Sequence, residues 1–175
     1  MRLEHSDIIA APRDRVYEIV KNELAQVAAY LPNVREIKVI ERSALDAKRT
    51  LIINKWFARA NMPALVQKFM SEDLFSWKDT ATWDDDKFEV EYFLESTVGK
   101  DIYDARGRNY FKAIGDDKTE LTLTCEVIIY PDKIPGVPKL IAKKVQPVIE
   151  QVIEKIIESN LTTLGAGIKE YLKHK

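Results

Sequence analysis

Thr119–Tyr130 reads TELTLTCEVIIY, and Val137–Leu172 reads VPKLIAKKVQPVIEQVIEKIIESNLTTLGAGIKEYL. The first stretch places Leu121, Leu123, Cys125, Val127 and Ile129 on one face and Glu120, Thr122, Thr124 and Glu126 on the other. That period of two belongs to a half-buried strand. In the second stretch Leu140, Ile141, Val145, Val148, Ile149, Val152, Ile153, Ile156, Ile157, Leu161, Leu164, Ile168 and Leu172 recur at helical spacing, against Lys143, Lys144, Glu150, Glu154, Lys155 and Glu158. Pro135 and Pro138 precede the helix, and Pro147 predicts a kink or a restarted first turn. So long an apolar stripe has to be covered. Its spacing is too loose for coiled-coil heptads, so the helix is expected to lie across the face of a sheet.

Upstream of this pair the period is again two. Candidate strands run over Leu3–Ala10, Ile37–Arg42, Arg49–Ala58, Leu74–Trp83, Lys87–Glu95 and Ala105–Ile114. Leu45-Asp46-Ala47, Asp84-Asp85-Asp86 and Gly115-Asp116-Asp117 are short polar turns, and short turns join antiparallel neighbours. Between the first two strands, Val16, Tyr17, Val20, Leu24, Val27, Ala28 and Leu31 form a helical stripe that opens after Pro12 and ends at Pro32. The stripe predicts one bent helix or two short ones. Asn61–Asp73 reads as a covering loop. The fold class is therefore α+β: an antiparallel meander of six to seven strands, two short helices after the first strand, and a long C-terminal helix.

The chain has 175 residues, 46% hydrophobic and 31% charged, with 27 Lys and Arg against 28 Asp and Glu. This composition suits one globular domain spanning 1–175 with a core that needs no metal or disulfide. A net charge of −1 argues against a nucleic-acid-binding face. The single Cys125 excludes an intrachain disulfide and a Cys-based metal cluster. The N-terminal MRLEHSDIIAAPRDR has too short an apolar run for a signal peptide, so a cytoplasmic location is expected. No phosphate loop, zinc-protease or nucleophile-elbow motif is present, and neither a cofactor nor a metal is expected.

Ala10-Ala11-Pro12-Arg13-Asp14-Arg15-Val16-Tyr17 is similar to the A-P-x-x-x-V-[WY] opening of the START-like superfamily, also called Bet v 1-like, SRPBCC or helix-grip. Tyr30-Leu31-Pro32-Asn33-Val34, followed by Ile37-Lys38-Val39, resembles that superfamily's passage into its second strand, and Gly136 and Pro138 fit the opening of its last helix. The order of elements is matched along essentially the whole chain, most nearly in the polyketide cyclase and lipid-transport branch. The resemblance implies a sheet curled around the long helix with a cavity between them. Members bind lipids, sterols, polyketides, quinones or plant hormones, and some are cyclases or aromatases.

Alternation then names the wall of such a cavity. Centring the fourth hairpin on Asp85-Asp86 pairs Trp83 with Phe88, Ala81 with Val90, Asp79 with Tyr92 and Trp77 with Leu94. The expected wall comprises Phe75, Trp77, Asp79, Trp83, Phe88, Val90, Tyr92, Leu94, Phe111 and Leu123, with Ile141, Val145, Val148 and Val152 from the helix. The same aromatic residues would equally serve a filled core. Asp79, an acid on an apolar face, is the candidate polar anchor, with Tyr92 opposite it as hydrogen-bond donor. Three functions follow. The preferred one is a binding or transport protein for a hydrophobic small molecule or lipid. The second is a cyclase or aromatase using Asp79 and Tyr92, and the third a ligand-free interaction module; under any of them a monomer or a dimer is expected. Lys133, Lys139, Lys143 and Lys144, beside Ile134 and Val137, further suggest weak contact with anionic membranes.

Overall fold

The computed structural model describes residues 1–59, 76–97 and 101–175. The chain opens with β1 (Arg2–Ile9), followed by α1 (Arg13–Asn22), α2 (Leu24–Val27) and a 3-10 turn at Ala28–Tyr30. The meander follows: β2 (Val34–Ala44), β3 (Arg49–Ala58), β4 (Ser76–Asp84), β5 (Glu89–Ser96), β6 (Tyr103–Gly115) and β7 (Lys118–Ile129). A 3-10 turn at Pro131–Lys133 leads to α3 (Lys139–Lys173). The seven strands form one antiparallel sheet in the order β1-β7-β6-β5-β4-β3-β2. The sheet does not close; β1 and β2 are its edges.

Local chemistry accounts for the boundaries. Pro12 stands immediately before α1, where its missing N–H costs nothing, and Asp14 and Lys21 complement the dipole at the two ends of that helix. Glu23 separates α1 from α2, so the predicted pair of short helices is what forms. Asp46 turns the β2–β3 connection by accepting the backbone N–H groups of Lys48 and Arg49 at 2.9 and 2.8 Å. Helix α3 continues through Pro147 instead of restarting there. The predicted covering loop at 61–73 lies outside the described residues.

The β4–β5 hairpin corrects the predicted register. Trp83 lies opposite Val90, Ala81 opposite Tyr92, Asp79 opposite Leu94, and Trp77 opposite Ser96. Phe88 has φ 54°, in the left-handed region, and therefore belongs to the turn instead of the ladder. The slip amounts to two residues. Because strand side chains alternate with a period of two, every inward residue stays inward while its partner changes. The polar turn Asp84–Asp86 also makes a tertiary contact. Asp85 accepts hydrogen bonds from the Tyr17 hydroxyl at 2.8 Å and the Lys21 ammonium at 2.6 Å, tying the hairpin to α1.

The interior divides into two packed clusters. One gathers α1, α2 and the C-terminal third of α3 over the inner face of the sheet, and includes Ile9, Val16, Ile19, Trp83, Phe111, Leu121, Leu164 and Ile168. Here α3 comes very close to β1. An added Cβ at Gly165 would stand 2.1 Å from the Asp7 carboxylate, which also binds Lys169 at 2.6 Å and His5 at 2.9 Å. The second cluster gathers Ala105, Cys125, Val127, Ile129, Ile134 and Val137 under Ala142 and Ile149 of the same helix. Leu161 touches both clusters. The space between them is the site.

Candidate functional site

A cavity of about 160 Å³ lies on the inner face of the sheet, beneath the middle of α3. Its apolar wall draws on both clusters, from Val20, Leu24 and Leu31 at one side to Ala105, Val127 and Ile134 at the other. The strand register sets the polar groups among them. Asn54, Asp79, Leu94, Ala105 and Val127 form one row across β3 to β7, and Trp83, Val90, Asn109 and Leu123 form another across β4 to β7. Asp79 and Trp83 are four residues apart on β4, hence roughly 13 Å at ~3.3 Å per residue. The cavity thus has a polar group towards each end.

Five buried side-chain polar atoms have no hydrogen-bond partner among the described residues. Four of them belong to residues of this wall: Asp79 Oδ1, Trp83 Nε1, Asn109 Oδ1 and Asn160 Oδ1. Buried polar atoms are ordinarily satisfied, so four unpartnered ones on residues of a single apolar wall single out this cavity as the candidate site.

Asp79 is the chemical centre. Its Oδ2 accepts a hydrogen bond from Trp56 Nε1 at 3.2 Å, and Trp56 stacks on Trp77 with ring centroids 5.7 Å apart. Burial pushes its pKa up to about 7, against the opposing hydrogen bonds of Trp56 and Asn54. Tyr92 also lines the cavity, but its hydroxyl donates to the Thr124 carbonyl at 2.7 Å. The expected Asp79–Tyr92 pairing is therefore replaced by Asp79–Trp56. Burial raises the Cys125 thiol to about 11, which keeps it protonated, while His5 is bonded to Asp7.

Of the residues expected in the wall, Trp77, Asp79, Trp83, Val90, Tyr92, Leu94 and Leu123 line the cavity. Phe88 and Phe111 instead pack edge-on against Tyr17, each with centroids 5.1 Å away, and the Arg13 guanidinium covers Phe88 at 3.6 Å. Phe75 lies outside the described residues. On the helix the wall is displaced toward the C-terminus. Ile153, Ile156, Ile157, Asn160, Leu161 and Leu164 face the cavity, whereas Val145, Val148 and Val152 pack on the second cluster and Ile141 is not in the wall. The sequence reading also missed Asn54, Trp56, Tyr103 and Asn160. Asn160 carried a signal, a polar residue four after Ile156 and four before Leu164 in the apolar stripe.

No family model matches the chain, and no curated protein matches it in sequence. Solved structures do share its architecture. The Zhui aromatase/cyclase from Streptomyces sp. R1128 is similar at TM-score 0.66 and 14% identity, over 95% of this chain and 92% of that one. A protein from Thermus thermophilus is similar at TM-score 0.63 and 19% identity, over 96% and 97%. Norcoclaurine synthase from Thalictrum flavum follows at TM-score 0.59 and 14% identity, over 100% and 87%. These likenesses are of fold. An open seven-stranded meander, short helices after β1 and a long helix across the sheet, shared with these structures nearly end to end, give this chain the START/Bet v 1-like, or helix-grip, fold.

Proposed function

We propose that the chain binds a compact hydrophobic small molecule in the cavity between the sheet and α3. The observation that carries this reading is the set of four unpartnered polar atoms in an apolar wall. A filled core would have neither the volume nor the unmet hydrogen bonds. Apolar cavities of about 150 Å³ take up benzene, so the space suits a ligand built on one ring or a short chain. Burying ~200 Å² of such a ligand contributes about 5 kcal/mol, and association costs reduce the affinity to the micromolar range or weaker. The enzymatic alternative, with Asp79 and Tyr92 as an acid–base pair, has less support because the Tyr92 hydroxyl is engaged by Thr124.

Native mass spectrometry before and after solvent extraction tests the reading. A small co-purified mass, lost on extraction, is the expected result. Should hydrocarbons and small aromatic compounds all fail to raise the melting temperature, the reading falls. Trp77→Ala is expected to weaken toluene binding about tenfold, or ~1.4 kcal/mol, because it removes wall area and leaves Trp56 without its stacking partner. Calorimetric titration against the wild type checks it.

The start of α3 supports a membrane-contacting role for the same protein. Leu140 is 99% exposed and stands among the exposed Lys139, Lys143 and Lys144, while Lys133 covers the Tyr130 ring at 4.6 Å. Ile134, next to Lys133, lines the cavity, so the patch adjoins the site. Among the described residues no helix is long and apolar enough to cross a membrane. Changing the four lysines to Gln is expected to abolish low-salt cosedimentation with phosphatidylserine vesicles, since each Lys near such a surface contributes ~1 kcal/mol. Unchanged cosedimentation would remove this role.

A further inference from the structure

We propose that the ligand is an apolar amine, whose ammonium group pairs with Asp79. This inference rests on the cavity-binding reading above and names the chemistry of the occupant.

Three features of the wall converge on that class. First, Asp79 belongs to the lining and has a buried carboxylate oxygen, Oδ1, with no hydrogen-bond partner among the described residues, while Trp56 serves Oδ2. Second, the described lining contains no Lys, Arg or His. A carboxylate buried without a cation is costly, and since none of the described lining residues supplies that charge, an ammonium carried by the ligand would compensate it. Third, the surroundings of Asp79 are aromatic. Trp56 and Trp77 stack nearly parallel, with 14° between their planes, and Tyr92 and Tyr103 complete that part of the lining. Aromatic faces attract ammonium groups and offer nothing to an anion. Carboxylate, aromatic rings and no competing cation together form an ammonium site. The same set disfavours a carboxylate-headed ligand such as a fatty acid, which would meet Asp79 and find no positive side chain among the described lining residues.

The remaining unpartnered groups set the rest of the ligand. Trp83 Nε1 only donates, and the Asn109 and Asn160 amides can present either oxygen or nitrogen according to their orientation. Trp83 and Asn109 share a row of the sheet away from Asp79, so a weak acceptor on that side of the ligand is accommodated without being required. Among the described residues, the other titratable groups lining the space are Tyr92 from β5, Tyr103 from β6 and Cys125 from β7, and burial raises the pKa of all three. They are neutral at pH 8. The neighbours of Asp79 on β3, Asn54 and Trp56, and Asn160 on α3 do not ionise.

Four probes of matched size separate the possibilities: benzylamine, benzyl alcohol, benzoate and toluene, titrated calorimetrically at pH 8 into the wild type and Asp79→Asn. Benzylamine is expected to bind at least tenfold more tightly than benzyl alcohol, and benzoate more weakly than toluene. Asp79→Asn should erase the advantage of the amine over benzyl alcohol, and an unchanged circular dichroism spectrum shows that the variant is folded. At pH 6, where Asp79 is protonated in the empty site, benzylamine binding should release a proton, read from titrations in buffers of different ionisation enthalpy. Equal affinity for benzylamine and benzoate, or an amine advantage that survives Asp79→Asn, overturns this proposal while toluene binding still supports the cavity. Failure of all four probes overturns both.

Discussion

Asp79→Asn is expected to stabilise the unliganded protein at pH 8 while leaving it close to the wild type at pH 4. Burial raises the Asp79 pKa from 3.8 to about 7. A carboxyl whose folded pKa exceeds its unfolded value binds more protons in the folded state between those two values. Its contribution to stability is fully present below pH 3.8 and is lost as pH rises through 7. A displacement of about three pH units corresponds to a loss on the order of 4 kcal/mol. Asparagine has the shape of the neutral acid and never ionises, so the variant lacks that loss. At pH 8 it should melt roughly 8–16 °C above the wild type, with the gap closing toward pH 4. Glu23 provides the internal control. The Arg15 guanidinium and Tyr171 hydroxyl hold its pKa down to about 2, so its contribution is present above pH 4.5 and lost as pH falls. Both proteins share that acid limb, and their difference isolates Asp79. A difference that does not change between pH 4 and pH 8 would refute the assignment. Saturating benzylamine should also flatten the slope of the wild type, because a bound ammonium compensates the carboxylate.

The strands and the long helix were legible because their apolar residues repeat with unmistakable periods. The inward faces survived a misplaced turn for the same reason. Phe88 leaves the β5 ladder, the register moves by two, and Trp77, Asp79, Ala81 and Trp83 keep their side of the sheet. What changed was every cross-strand pair, and with it the proposed Asp79–Tyr92 couple. The partner of Asp79 is Trp56, on a strand whose inward face holds Ile52, Asn54 and Trp56, a polar residue between two apolar ones. That interruption, like Asn109 on β6 and Asn160 on α3, was visible but carried no meaning until the register brought the strands into rows. The helix posed a different difficulty. An amphipathic stripe shows which side of α3 is buried, but its position along the sheet depends on where the helix starts and how it crosses. Ile141 to Val152 and Ile153 to Leu164 satisfy the same pattern. Close approach of Gly165 to Asp7 holds the second segment near β1, and that contact between residues far apart in the chain has no local signature.

Gly107→Ala should be among the most damaging single substitutions in the sheet. Gly107 sits on β6 between Tyr92 of β5 and Cys125 of β7, in the row that forms part of the cavity wall. The Tyr92 ring lies across this position, and its hydroxyl passes over β6 to reach the Thr124 carbonyl at 2.7 Å. An ideal Cβ at residue 107 would stand 2.0 Å from the Thr124 oxygen and 2.4 Å from the Tyr92 hydroxyl. One obstacle is backbone, and the other is a buried ring fixed by its own hydrogen bond. Relief requires spreading the β6–β7 pair or expelling Tyr92, which would leave Thr124 without this donor and open the cavity wall. The cost should be about 3 kcal/mol or more, lowering the melting temperature by roughly 6–12 °C. Tyr92→Phe alone removes the hydroxyl and its hydrogen bond to Thr124, and should cost about 1 kcal/mol. Adding Tyr92→Phe to Gly107→Ala should recover little, because the contact with the Thr124 carbonyl remains. A Gly107→Ala protein that melts within about 2 °C of the wild type, or one fully restored by Tyr92→Phe, would show that backbone crowding does not govern this position.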